Sequence, residues 1–231
     1  MVLLKERPLL LWVDGSAQSA IWAMHGVNGM RVQLSESNVT AVSPGVAACG
    51  DRAIAVWTQS YGASTNILSS RHTAEGAWTP PERISDGMGA ASLPRVAIDA
   101  RGRALATWEQ IVPEGSVALA AEYSPEKGWS APKTISWPRP IGPRPIAVLE
   151  PGGNGYVFWV EQNPATDGTI VEAQGARFLA GRGFDEHFGG FYEAGLPMGG
   201  GLRGFDAEID HSGRIVVAWF DDNGLRVSRL E

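Results

Sequence analysis

The chain has 231 residues, a net charge of −6 at pH 7 and a single cysteine, Cys49. This acidic balance, without any run of Lys or Arg, argues against nucleic-acid binding, and one cysteine excludes an internal disulfide or a thiolate metal cluster. Gly (29), Pro (15) and Trp (9) are plentiful while charged residues make up only 19%, which favours many short strands and turns over long helices.

The most apolar segment near the N-terminus runs from Pro8 to Val13. It is far shorter than the roughly 20 residues that span a bilayer, and no small-residue cleavage site follows it. We therefore expect no membrane insertion. No signal peptide is visible, which fits either a cytoplasmic protein or a secreted or cell-surface protein whose leader is absent from this sequence.

Internal repetition is the strongest feature of the sequence. When residues 52–85 are shifted by 51 positions onto residues 103–136, 11 of the 34 aligned positions are identical, among them Trp57/Trp108 and Gln59/Gln110. The repeat continues toward both ends of the chain through three further tryptophans: Trp12, Trp159 and Trp219. The sequence is therefore built from five Trp-bearing units.

One unit contains four short segments with the alternation of strands: 96–98, 104–110, 117–123 and 133–136. Four antiparallel strands in about 50 residues, repeated around an axis, are typical of a β-propeller blade. The sequence thus predicts an all-β, five-bladed β-propeller of four-stranded antiparallel blades, with a repeat of about 51 residues. We expect a single domain over 1–231, with blades around 1–40, 41–90, 91–140, 141–200 and 201–231.

The last unit provides only three strands before the chain stops. Val2–Leu4 is one candidate for the missing outer strand, since closing the ring in this way hides a sheet edge. The same three residues are also candidates for the innermost strand of the first blade, and a third interpretation is that the chain is a fragment of a longer ring.

The units PRVAIDARGRALATWEQ and GWSAPKTIS resemble the tandem repeats of bacterial sialidase-like (BNR-type) propeller proteins. The resemblance covers residues 44–160 well and 205–230 fairly, and it implies a propeller fold. The spacing of the sialidase Asp-box is absent: Asp99 and Asp210 each begin an Asp-x-x-Gly turn whose tryptophan comes much later. We therefore predict that both aspartates bond local backbone rather than catalyse.

A polar residue stands two positions after the tryptophan in every unit: Asp14, Gln59, Gln110, Glu161 and Asp221. Residues two apart share a face of a strand, so these side chains occupy equivalent places in successive blades. In a closed ring Glu161, Asp221 and Asp14 are neighbours, and three carboxylates together suit glycoside hydrolysis or Ca²⁺ binding. The alternative is that each residue caps a strand or bonds a neighbouring blade.

Arginines precede or begin the innermost strands of several blades: Arg95, Arg144 with Arg139, and Arg203. Guanidinium groups that meet at one channel mouth are able to grip a carboxylate with paired hydrogen bonds. Sialidases, which the repeats resemble, use an arginine triad in this way. The Arg-Ile-Pro motif expected near the start of a sialidase is missing here.

The repeat is interrupted between Trp159 and Trp219, where the surplus residues fall in 181–204. This insertion includes His187 and Tyr192, which are candidates for sugar contacts because aromatic faces stack on sugars and polar groups bond their hydroxyls. The alternative is a loop whose phenylalanines pack over the channel mouth. Trp137 has no counterpart in the preceding repeat, which favours an exposed binding aromatic.

Repetition favours recognition, because equivalent blades make equivalent shallow sites. The sequence therefore predicts a carbohydrate-binding, lectin-like or scaffold propeller without catalysis, with a glycan or protein ligand and no required cofactor other than a possible Ca²⁺. The alternative is a glycoside hydrolase with a central carboxylate and arginine site. A structural fragment without a ligand of its own is a third interpretation. The oligomeric state is not predicted.

Overall fold

The computed structural model describes residues 1–15, 18–73, 75–140, 142, 144–162, 171–184, 197–198, 204–210, 214–221 and 224–230. These residues form β-strands joined by turns and loops, arranged in five antiparallel sheets that follow one another along the chain. In this part of the chain there is no helix that is long and apolar enough to cross a membrane.

In each sheet the first three strands form a meander and pair in chain order. The first sheet contains β1 (Val2–Leu4), β2 (Arg7–Asp14), β3 (Ala20–His25) and β4 (Arg31–Gln33). The second contains β5 (Ala41–Cys49), β6 (Arg52–Tyr61), β7 (Ser64–His72) and β8 (Glu82–Arg83). The third contains β9 (Ala91–Ile98), β10 (Ala104–Val112) and β11 (Gly115–Ser124), with β12 (Gly128–Trp129) and β13 (Lys133–Thr134) both paired to β11.

The fourth sheet contains β14 (Ile146–Leu149), β15 (Gly155–Gln162) and β16 (Val171–Leu179), with β17 (Gly183–Phe184) and β18 (Pro197–Met198) both paired to β16. The fifth contains β19 (Gly204–Ile209), β20 (Ile215–Asp221) and β21 (Gly224–Leu230). The repeated tryptophan lies on the second strand of every sheet, so the predicted unit of short antiparallel strands is confirmed.

Hydrophobic clusters join consecutive sheets. Trp57 packs with Ile21 between the first and second sheets, and Trp108 with Ile67 between the second and third. Trp159 lies between the third and fourth sheets, and Trp219 packs with Phe158 between the fourth and fifth. The recurring tryptophan therefore fills the space between neighbouring sheets, as expected for propeller blades.

The N-terminal strand β1 belongs to the first sheet, where Val2 pairs with Leu9 and Leu4 with Arg7. The hypothesis that Val2–Leu4 completes the last blade is therefore wrong. The alternative that these residues form the first strand of the first blade is confirmed. The physical reason is local: Lys5 and Glu6 both have positive φ (50° and 61°), the geometry of a two-residue hairpin turn that folds β1 back onto β2.

The face of the fifth sheet that points away from the fourth sheet is open to solvent. Val227 pairs with the residue before Trp219 and is 58% exposed. Ala120 and Ser69 occupy the equivalent positions in the third and second sheets, and each is only 1% exposed. Leu225 is also exposed, at 69%. Among the described residues no hydrophobic cluster joins the fifth sheet to the first.

The turn aspartates behave as predicted. Asp99 Oδ1 accepts hydrogen bonds from the backbone N–H groups of Arg101 and Arg103, both at 2.9 Å, and Oδ2 accepts two more from the Arg103 guanidinium at 2.8 Å. The Asp210 carboxylate likewise accepts hydrogen bonds from the backbone N–H of Arg214 (3.0 Å) and from the Arg214 guanidinium (3.0–3.1 Å). Both carboxylates therefore stabilise their turns through local hydrogen bonds.

A carbonyl at the same turn position in three sheets accepts a donor from the preceding sheet. Gly50 O receives the Lys5 backbone N–H at 2.9 Å, Arg101 O receives the Arg52 guanidinium at 2.5 Å, and Gly152 O receives the Arg103 guanidinium. The three carbonyls are spaced by 51 residues. Arg103 therefore links its own turn to the next sheet.

We expect Asp99→Ala to lower the free energy of unfolding by about 2–4 kcal/mol, because it leaves two backbone donors and a guanidinium without their acceptor. Urea denaturation measures this loss. Asp51→Ala is the control, because the Asp51–Arg52 pair is 4.0 Å apart with both side chains about half exposed, and we expect a loss below about 1 kcal/mol. Equal losses in the two variants would contradict the assigned role.

Candidate functional site

The first strands of three consecutive sheets begin with a strained turn. Ser43, Leu93 and Arg144 have positive φ (54°, 53° and 45°) and each directly precedes a proline. In the second and third sheets the strand pairing shifts register at this place, which is a β-bulge. Such backbone persists only where its surroundings fix it, and it is frequent near functional sites.

The second strand of each sheet ends where the first strand begins. Gln59 pairs with Ala41, and Gln110 with Ala91, so the bulges and the polar residues that follow the tryptophans lie at the same end of the sheets. We call this end the mouth edge. Because the first strands of consecutive sheets contact each other, their mouth edges adjoin.

Gln59 and Gln110 are buried braces of the mouth edge. Gln59 is fully buried; its Oε1 accepts the indole N–H of Trp57 (3.0 Å) and the backbone N–H of Glu36 (3.3 Å). Gln110 accepts the indole N–H of Trp108 (3.4 Å) and donates to Met88 O (3.0 Å). For these two residues the interpretation as local structural bonds is confirmed.

The three carboxylates at the same register remain predictions. Asp14 is the last residue of β2 and is half-buried. Glu161 lies next to the end of β15, and Asp221 ends β20; the side chains of both lie outside the described part of the structure. The backbone register thus agrees with their equivalence to the two glutamines, while their chemistry is untested.

The predicted binding residues are only partly described. Arg95 and Arg144 are exposed and flank the mouth-edge prolines Pro94 and Pro145 of consecutive sheets. Trp137 is 70% exposed and lies in the segment that leads to the fourth mouth edge. Three further candidates lie outside the described residues: His187, Tyr192 and Arg203.

A phenol on the second sheet, Tyr61, and an acid in the loop before that sheet, Glu36, are two residues that sequence reasoning missed. The Tyr61 hydroxyl oxygen accepts a hydrogen bond of 2.6 Å from Gln59 Nε2. Burial raises the pKa of Tyr61, and a hydrogen bond with the Glu36 carboxylate raises it further, whereas the positive charge of Arg83 lowers it. Glu36 and Arg83 therefore both lie close enough to Tyr61 to shift its pKa, and Arg83 does so from β8, where it pairs with Leu68.

These residues depart from the repeat. The positions 51 residues after Tyr61 and Arg83 are Val112 and Thr134, which carry neither a phenol nor a charge. Comparison of the two repeat units shows this difference in the sequence. It did not predict a site, because only the structure shows that Glu36, from the preceding loop, lies near Tyr61.

A second pair of carboxyls lies on the first strand of the fifth sheet. Asp206 and Glu208 are two residues apart on β19 and therefore share a face of the sheet. Partial burial raises the pKa of the Glu208 carboxyl, and the nearby Asp206 raises it further.

A raised pKa in the folded state makes stability fall as the pH rises above the ordinary value of 4.5. We expect Glu208→Gln, which cannot ionise, to be more stable than the parent chain at neutral pH, with the difference disappearing below about pH 4. Thermal denaturation across this range measures the effect. Parallel curves at all pH values would contradict it.

Among the described residues no group of three or more His, Cys, Asp or Glu side chains is arranged to hold a metal ion. The Glu161, Asp221 and Asp14 set falls partly outside that search, so the possible Ca²⁺ stays a prediction.

No family model matches the sequence, and no curated protein matches it. Solved structures share the fold. A polysaccharide lyase of family PL25, an ulvan lyase bound to -[GlcA(1-4)Rha3S]-, has a TM-score of 0.67 and 8% identity, with 98% of this chain covering 62% of that chain. This chain therefore spans less than two thirds of the lyase.

Two glycoside hydrolases also share the fold. A family 117 enzyme of the marine bacterium Zobellia galactanivorans has a TM-score of 0.53 and 8% identity, with 97% of this chain covering 72% of that one. The α-L-arabinofuranosidase PaAbf62A from Podospora anserina, in complex with cellotriose, has a TM-score of 0.50 and 12% identity, with coverage of 100% and 89%. At these identities the likeness shows the fold alone.

The chain thus has the all-β fold of propeller-type carbohydrate-active enzymes. The prediction of a lectin-like or scaffold propeller without catalysis is wrong, because the structures that share the fold include a polysaccharide lyase and several glycoside hydrolases. The prediction assumed equivalent sites on equivalent sheets, whereas the mouth edges differ from one sheet to the next. The alternative, a glycoside hydrolase, is better supported. The sialidase part of the resemblance stays a prediction.

Proposed function

We propose that the chain is a glycoside hydrolase whose site lies at the mouth edges of its five sheets. The observation that carries the proposal is the register of the residue two after the tryptophan. The second and third sheets use a glutamine there as an internal brace, while the fourth, fifth and first sheets have a carboxylate at the same place: Glu161, Asp221 and Asp14.

Hydrolysis of a glycosidic bond needs one protonated carboxyl as the acid and one ionised carboxylate as the nucleophile or base. Neighbouring carboxylates at one mouth provide the mutual repulsion that separates their pKa values in this way. We assign these two roles to Glu161 and Asp221, and a positioning role to Asp14.

The remaining candidates bind the substrate in this proposal. Arg95, Arg144 and Arg203 recognise acidic groups on the sugar through paired hydrogen bonds. Trp137 and Tyr192 stack on sugar rings, and His187 bonds hydroxyls. Two of the structures that share the fold hold oligosaccharides.

The test is incubation of the purified chain with a panel of neutral and acidic polysaccharides. Hydrolysis releases new reducing ends without an unsaturated product, and this is the expected result. Reducing ends that appear together with the ultraviolet absorbance of an unsaturated uronate would show β-elimination, and a panel left intact would show no cleavage. Either of these outcomes would overturn the hydrolase.

A further inference from the structure

The hydrogen bonds around Tyr61 fix the direction of its hydroxyl. Gln59 Oε1 accepts from both Trp57 and the Glu36 backbone, so the amide nitrogen of Gln59 is the group that faces Tyr61. The Tyr61 oxygen accepts that bond at 2.6 Å, and the Glu36 carboxylate is close enough to raise the pKa of Tyr61. A buried amide therefore orients the Tyr61 phenol and holds the backbone of Glu36 near it.

The same three side chains keep binding capacity toward solvent. The side chain of Tyr61 is 39% exposed, and Glu36 and Arg83 are both exposed. Neither charged group forms an ion pair with another described residue. A guanidinium has five N–H donors and a carboxylate about four acceptor sites, so most of their hydrogen-bonding capacity is open to a ligand.

The fold does not need these groups. In the third sheet Gln110 makes the equivalent brace with Val112 and Thr134 at the positions of Tyr61 and Arg83. A phenol and a guanidinium in one unit of a repeat array are departures that mark function rather than architecture. The acidic side chain of Glu36 completes the corner from the loop that precedes β5.

We propose that Glu36, Tyr61 and Arg83 form a subsite for a sugar unit that carries a negative charge. Arg83 pairs with the anionic group, either a carboxylate or a sulfate ester. The ring of Tyr61 contacts the apolar face of the sugar, and Glu36 accepts hydrogen bonds from its hydroxyls. The inference deepens the proposed function, on which it rests, by adding a subsite for the anionic group of an acidic polysaccharide.

The test is calorimetric titration with ulvan oligosaccharides, whose repeat unit contains glucuronate and 3-sulfated rhamnose. We expect Arg83→Ala to weaken binding about tenfold to a hundredfold, as for the loss of a charged hydrogen bond. Carboxyl-reduced and desulfated oligosaccharides separate the two anions: the derivative that lacks the recognised group binds the parent chain as weakly as the intact ligand binds Arg83→Ala.

Two variants serve as matched controls and should bind like the parent chain. Thr134→Ala changes the position in the third sheet that corresponds to Arg83, and Arg101→Ala removes an exposed positive charge from a turn at the opposite end of the sheet. The subsite is overturned if the parent chain binds none of the oligosaccharides, or if Arg83→Ala binds them with unchanged affinity.

Different results would overturn the proposed hydrolase and the proposed subsite. Arg83-dependent binding without cleavage of any polysaccharide would overturn the hydrolase and leave the subsite standing. Cleavage of polysaccharides with no effect of Arg83→Ala on binding would overturn the subsite alone.

Discussion

Replacement of Glu161 by Gln together with Asp221 by Asn should lower kcat by a factor of about 10²–10⁴, the usual contribution of a positioned proton donor or acceptor. The amides keep the size of the carboxyls but cannot exchange a proton at neutral pH. We expect KM to change little, because both substitutions act on the reacting bond and not on the sugar-binding groups. The release of reducing ends from the best polysaccharide substrate measures both parameters.

Glu126→Gln is the control for this prediction. Glu126 is an exposed carboxylate in the turn between β11 and β12, so Glu126→Gln removes one negative charge, against two in the double variant, far from the mouth edges. A double variant with the activity of the control would contradict the catalytic assignment of Glu161 and Asp221. Asp14→Asn should have an intermediate effect if Asp14 only positions its neighbours.

Loss of the Trp108 side chain should have the largest effect on stability. Trp108 is 0% exposed and lies in the cluster between the second and third sheets. Trp108→Ala removes this packing and leaves the oxygen of Gln110 without the indole N–H that it accepts at 3.4 Å. We expect the free energy of unfolding to fall by about 3–5 kcal/mol, measured by urea denaturation.

Two other tryptophans calibrate that result. Trp137 is 70% exposed, so Trp137→Ala should leave stability nearly unchanged. Trp12 occupies the repeat position of Trp108 but is only half-buried in the first sheet, so Trp12→Ala should give an intermediate loss. If all three variants lost the same stability, burial between sheets would not be the source of the effect.

The sequence was sufficient to predict the repeating unit because its determinants are local. Trp57 and Trp108 with their partner glutamines recur at fixed spacing, and the Asp99 turn is encoded within five residues. The place of β1 depended on two adjacent residues, Lys5 and Glu6, whose positive φ is unusual outside glycine. Nothing in those residue types indicated a tight hairpin turn.

The candidate site was less predictable because it joins residues that are distant in the chain. Glu36 reaches Gln59 across 23 positions, and neither residue alone suggests a pair with Tyr61. The strained turns before Pro44, Pro94 and Pro145 were likewise hidden, because a residue before proline normally has an extended backbone. The register of the carboxylates was visible, since it follows from the repeat itself.

Because Gln59 and Gln110 make the structural hydrogen bonds of their sheets, other mouth-edge residues are not needed for folding. Where a sheet has this glutamine, hydrogen bonds hold both the tryptophan indole and the loop that precedes the first strand. The rest of that mouth edge is then free to change without loss of folding. Where the fifth sheet has Asp221 instead, Trp219 Nε1 has no hydrogen-bond partner among the described residues. In the proposed enzyme the carboxylate of this sheet thus follows a tryptophan without the hydrogen bond seen in the second and third sheets, and such a local loss of stability is a common cost of activity.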